Sequence, residues 1–243
     1  MARRIEEGLA ANENVEELFD SVEAMLGEPA DEDDENELIG SAAGDLEPLI
    51  QEFLWEEKCG DGPQATVLDQ FLSQQNELPV PRLDMETVET GDVERFLLGA
   101  FLRTAPAERA TVVTTLSETL QQFFTWGVRT QEYDLADVLE TLREGFASEV
   151  PRLQRASLEL SAGDAPSTAA PPILLRVIGT GSQRVEVVPN DSEDPTWLNG
   201  VKRWDDLREG DLILAVASAE PAGGLALQGV VVVIPAGSEA LLG

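Results

Sequence analysis

"SAGDAPSTAAPPILLRVIG", residues 161–179, is where the chain changes its period. Through residue 172 the stretch is small, Pro-rich and free of large apolar groups, which is the composition of a linker. From Ile173 onward the apolar residues no longer recur three or four apart. They gather into short β-branched runs, "ILLRVIG", "QRVEVVP", "DLILAVAS" and "LALQGVVVVIP", with turn residues between them. About four or five strands in 173–243 predict a small β-barrel or curled antiparallel sheet. The insertion "NDSEDPTWLNGVKRWDDLREG" supplies Trp197 and Trp204 and leaves room for a short helix. Because 161–172 should let few contacts cross, the β domain is expected to fold independently of what precedes it.

Upstream, 45–160 reads as an all-helical bundle. Asp45 is placed to cap "LEPLIQEFLWEEKCG", whose inner face is Leu46, Leu49, Ile50, Phe53 and Leu54. Pro63 near a first helical position opens the next helix, with Val67, Leu68, Phe71 and Leu72 inward. Thr90 is placed to cap "GDVERFLLGAFLR". Pro106 should open a long helix closed by Gly127, on which Val113, Leu116, Leu120, Phe123 and Phe124 form one stripe. Trp126 lies off that stripe and either seals the end of the bundle or stands out as a recognition residue. Asp134 and Asp137 mark the start of another helix, and Pro151 should kink or restart it.

Ahead of the bundle, 1–27 carries an amphipathic helix. Over 12–26, Val15, Leu18, Phe19, Val22, Met25 and Leu26 share one face. That face folds back on the body, pairs with a second copy, or docks in a partner's groove. Residues 28–44 are an acidic linker. The expected fold class is therefore α+β and multidomain: an N-terminal amphipathic helix, an all-α bundle at 45–160, a linker at 161–172 and a small β domain at 173–243.

Two segments in the bundle carry a resemblance. "LDMETVETGDVERFLLGAF" and "ATVVTTLSETLQQFFTWGV" are similar to the helical, SAM-like core-binding domain of tyrosine recombinases. Asp92, Val93, Phe96 and Leu97 would match its acidic, capped helix. Leu116, Leu120, Phe123, Phe124 and Trp126 would match the longer helix that ends in aromatic-x-Trp. Over 46–150 the resemblance implies a helical fold. It implies no recombinase activity, because the chain has no histidine and its one tyrosine, Tyr133, lies inside the helical region.

Charge is the most unusual feature of the composition. Asp and Glu total 47 against 16 Lys and Arg, a net charge of −31. The acidity is not confined to one tail: residues 1–45 hold 15 acidic and 2 basic residues, 46–162 hold 21 and 9, and 163–243 hold 11 and 5. Such a surface either binds a basic partner or resembles the acid-rich, lysine-poor cytoplasmic proteins of salt-accumulating cells. In about 1 M salt the screening length falls to about 3 Å and self-repulsion fades. One cysteine, Cys59, excludes an internal disulfide framework. No apolar run approaches a membrane span and no signal-peptide core is present, so the expected location is the cytoplasm.

The absence of histidine removes Ser-His-Asp and Cys-His nucleophile systems and histidine-based zinc sites. "GTG" at 179–181 leads into another strand, which makes it a hairpin turn rather than a dinucleotide fingerprint. "DEDDENELIG" starts like a calcium loop, yet Asn36 and Ala42 stand where glycine and a bidentate glutamate are needed. Asp205, Asp206, Glu209 and Asp211 are the candidate metal ligands, read against a solvated turn. No cofactor is implied. The expected function is a non-enzymatic interaction or scaffold protein that contacts another protein, or itself, through Val15, Leu18, Phe19, Val22, Met25, Leu26 and Trp126. A nucleic-acid accessory protein is the alternative if Arg95, Arg103, Arg109 and Arg129 converge on one face. A carboxylate- or metal-dependent enzyme is the second alternative.

Overall fold

A computed structural model describes residues 45–60, 62–161, 171–181, 184–190, 192, 194–199, 203–221 and 223–241. The expected N-terminal helix and acidic linker, 1–44, lie outside the described residues. The architecture is α+β, with a helical bundle followed by a closed five-stranded barrel. The described residues divide into two compact units, one drawn from 45–101 with 111–148, the other from 102–110 with 149 onward.

The helical unit holds α1 (Leu46–Glu56), α2 (Pro63–Asn76), most of α3 (Thr90–Arg103) and α4 (Arg109–Gln131), α5 (Ala136–Glu144) and the first turn of α6 (Phe146–Leu160). Its core is the stripe set legible in the sequence: Leu46, Ile50, Phe53, Leu68, Phe71, Leu120, Phe123 and Phe124 are each at most 1% exposed. Aromatic edges fix the packing. Phe53 meets Phe123 edge-on at 5.5 Å between centroids, and Phe71 meets Phe96 at 5.4 Å and Phe124 at 5.9 Å.

Several helix ends differ from expectation, and α4 begins at Arg109 rather than at Pro106. Gly127 does not close α4, which continues to Gln131. A Cβ at position 127 would lie 2.5 Å from the Met85 sulfur, so glycine there admits the 3-10 turn Met85–Thr87 against the helix. The break placed at Pro151 occurs instead at Gly145, between α5 and α6, and Pro151 sits inside a continuous helix. Neither Asp45 nor the residue before α5 makes a side-chain cap; at α3 the Asp92 carboxylate accepts the Glu89 amide at 2.9 Å.

The second unit is built on β1 (Ile173–Thr180), β2 (Val185–Pro189), β3 (Thr196–Asn199), β4 (Leu212–Ala219) and β5 (Leu225–Ile234). They close in the order β1-β2-β3-β5-β4, with β4 returning to β1 and all pairs antiparallel except β3 with β5. The insertion around Trp197 is therefore a strand, and no helix occurs there among the described residues.

Among the described residues β3 pairs with β5 only at Leu198↔Leu225 and Asn199↔Ala226, and no described strand lies along the far end of that β5 edge. Helix α6 covers it. The Val233 amide donates to Ser157 Oγ at 2.9 Å and the Val231 amide to Ser161 Oγ at 3.0 Å. The match is geometric: residues i and i+4 of a helix rise about 6 Å, and two strand residues span about 6.7 Å. Each serine proton goes back into the helix, to Leu153 O and Ser157 O. Val150, Leu153, Ala156 and Leu160 line the buried side of the same helix. Both faces of Leu212–Ala215 and of Val231–Ile234 are buried, where a one-sided strand would alternate. Residues 149–160, expected in the bundle, thus group with the barrel, and contacts do cross the 161–172 boundary.

Candidate functional site

Four features are candidates, and each is built from its side chains. The first is the carboxylate cluster 205–211. Gly210, at φ +90°, turns the chain so that Asp211 enters the barrel wall, where it is 1% exposed. Its carboxylate meets Arg152 of α6 in a two-pronged pair, Nη1 to Oδ2 at 2.6 Å and Nη2 to Oδ1 at 3.1 Å, and accepts the Arg208 amide at 2.8 Å. Arg152 also donates to Glu149 at 2.6 Å and to the Asp206 carbonyl at 2.7 Å. Arg155 grips the Asp206 carboxylate with two bonds of 2.9 Å, and Arg208 reaches Glu149 at 3.0 Å.

These are charge-assisted, forked contacts of the strong kind. They commit Asp206 and Asp211 to arginines, while Asp205 and Glu209 stay exposed outside the network. No group of metal-ligating side chains occurs among the described residues. Two of the four candidate ligands, Asp206 and Asp211, thus belong to a latch between α6 and the turn before β4. Sequence reading found the carboxylates because they are adjacent; their arginines lie more than fifty positions earlier.

The latch has an acid signature. The bond and charge of Arg155 hold the Asp206 carboxyl below its ordinary range. Burial alone would raise Glu149, but Arg152 and Arg208 outweigh it and leave that carboxyl lowered as well. Groups with depressed folded values stabilise fully above the unfolded values, near pH 4, and lose that contribution as pH falls through the folded ones. Chemical denaturation followed from about pH 5 down to about pH 2 should show the stability of this unit falling. A flat profile would mean the carboxylates are unpaired in solution.

The second feature is the arginine set of the nucleic-acid alternative. Arg109 is 1% exposed, donates Nε to the Thr104 carbonyl at 3.1 Å, and burial lowers its guanidinium to about 10. Arg95 lies 3.5 Å from Asp92 and Arg129 is 2.8 Å from Glu57. Of the four, Arg109 is interior, Arg95 and Arg129 face carboxylates, and Arg103 is exposed.

The third feature is Trp126, expected as a contact residue or a seal. It is 2% exposed, stacked against Phe123 at 6.1 Å, and donates its indole N–H to Glu56 at 2.8 Å. It is a seal, and its place in the contact set is corrected. The exposed tryptophan is Trp55, 80% accessible, on the outer side of α1. The signal was available: Trp55 falls outside the stripe Leu46, Leu49, Ile50, Phe53, Leu54. The other contact residues, Val15, Leu18, Phe19, Val22, Met25 and Leu26, lie outside the described residues.

The fourth feature, which no motif marked, is a groove of about 450 Å³ in the helical unit. Phe53 and Trp126 form part of its lining, together with Glu57, Cys59, Gln64, Glu118, Gln121, Gln122, Thr125 and Arg129.

No protein family matches the sequence, and neither a curated protein nor a solved structure matches the chain. Among the described residues no helix is long and apolar enough to cross a membrane.

Proposed function

We propose that this chain is a non-enzymatic interaction protein of the cytoplasm whose helical unit contacts another protein through the outer face of α1. The observation that supports this reading is Trp55. An indole 80% exposed on a helix whose opposite face is fully packed has no role in the core, and tryptophan is the side chain most enriched at binding hot spots. Two of the four candidate carboxylates, Asp206 and Asp211, are occupied in holding α6, which favours the same reading. The helix expected at 12–26 would supply a second contact through Val15, Leu18, Phe19, Val22, Met25 and Leu26.

The test is site-specific photo-crosslinking in the cell of origin, with the crosslinking side chain at position 55 and, as a control, at the exposed Glu140. A defined adduct at 55 and not at 140 is expected, and the crosslinked protein, once purified, should bind the wild type. Trp55→Ser should weaken that binding by about tenfold or more, about 1.4 kcal/mol, while leaving the melting temperature unchanged. Equal labelling at both positions would sink the reading. So would turnover of a small substrate by the pure chain that is lost on replacing one carboxylate.

A further inference from the structure

The groove of the helical unit has a length, a floor and a charge, and together these define an occupant. Along its α4 side stand Glu118, Gln121, Gln122, Thr125 and Arg129, one edge of the helix from first to last. At 1.5 Å per residue that edge runs about 16 Å. An extended chain advances about 3.3 Å per residue, so about five residues of a strand-like segment fill it. Helix α1 and the residues after it form the other side with Glu57 and Cys59, and α2 adds Gln64.

Phe53 and Trp126 line the groove although they are only 1% and 2% exposed, so they form its floor. The Trp126 N–H is bonded to Glu56, so the floor is closed and the polar side chains around it are what the groove presents. Three amides, Gln64, Gln121 and Gln122, stand around this floor, and none is bonded to another described residue. An amide side chain offers a donor and an acceptor together, the pair that a peptide backbone presents.

The charges set the sign of the occupant. Arg129 is engaged with Glu57 at 2.8 Å, whereas Glu118 is exposed and has no cation partner among the described residues. The groove is net negative on a chain of net charge −31. An acidic segment is repelled from it, and residues 1–45 of the chain itself, with 15 acidic and 2 basic residues, are such a segment.

The geometry points to a docking groove for an extended, basic segment of a partner protein. About five of its residues lie along α4, a lysine or arginine meets Glu118, and its backbone amides meet Gln64, Gln121 and Gln122. This site rests on the interaction reading only in that its ligand is a protein segment. It does not depend on Trp55, which projects roughly 200° around α1 from Phe53.

The probe is a phage-displayed library of random short peptides, panned on the full chain. Recovered sequences should be enriched in Lys or Arg. Binding of the recovered peptides should fall by about tenfold or more in Glu118→Lys and in the double variant Gln121→Ala, Gln122→Ala, with unchanged melting temperatures. Cys59, the one thiol of the chain, lines the groove, so bound peptide should slow its alkylation by a maleimide. Recovery of no peptide, of acidic peptides, of peptides indifferent to Glu118→Lys, or of peptides that leave Cys59 alkylation unchanged overturns the proposal. A failed crosslink at position 55 leaves all four results readable.

Discussion

Replacing Arg152 with alanine should destabilise the unit that holds the barrel by about 3–5 kcal/mol, the range for removing one partner of a buried ion pair. The cause is what stays behind. Asp211 is 1% exposed and would keep its charge in the wall with only the Arg208 amide to solvate it. The Asp206 carbonyl and the Glu149 carboxylate lose a donor in the same step. The Arg152 guanidinium is itself held above its ordinary value: burial alone would lower it, and its bonds to Asp211 and Glu149 outweigh that. Arg152→Met combined with Asp211→Asn should recover much of the loss, because no buried charge is then unpaired. Urea denaturation of the three variants measures this. A loss for Arg152→Ala below about 1 kcal/mol, the level of an exposed pair, would mean that water reaches Asp211 and that no latch exists.

Phe123→Ala should cost the helical unit about 3–5 kcal/mol. The ring is fully buried and touches Phe53 at 5.5 Å, Phe124 at 5.4 Å and Trp126 at 6.1 Å, so its removal opens a cavity shared by two helices. Relaxation is limited because the neighbours are rigid rings. On the same helix Glu118→Ala should stay within about 0.5 kcal/mol, as exposed positions do. Calorimetry on both variants separates the cases; equal effects would show that α4 does not bury this face.

What could be read from the sequence was what repeats locally. Phe123, Phe124, Leu120 and Leu116 declared themselves through helical spacing, and the β-branched runs after 172 declared strands through their composition. Helix ends were read less well, because a glycine or proline states only what the backbone permits. Gly127 serves the approach of Met85 from a 3-10 turn, and that requirement belongs to tertiary structure. The contacts that assemble the second unit were invisible for a related reason. Arg152 and Asp211 are 59 positions apart, and Ser157 and Val233 are 76 apart. Neither Ser157 nor Asp211 differs by residue type from many others in a chain this acidic. The groove escaped notice because its lining comes from three helices and contains no motif.

The serine pair on α6 also sets where the chain can be divided in inheritance. Composition advertises 161–172 as a seam for joining or cutting a module. A recombination event there would hand on a barrel with Val231 and Val233 amides unsheathed and with Asp211 stripped of its guanidinium. That fragment would carry a bare strand edge, the template on which β-proteins aggregate. The stretch that keeps these contacts reaches back to Glu149, twelve residues before the seam and one turn into a continuous helix. Exchange of this β module between proteins must therefore carry a piece of helix with it, and the conspicuous linker is where selection should tolerate changes in length but not in parentage.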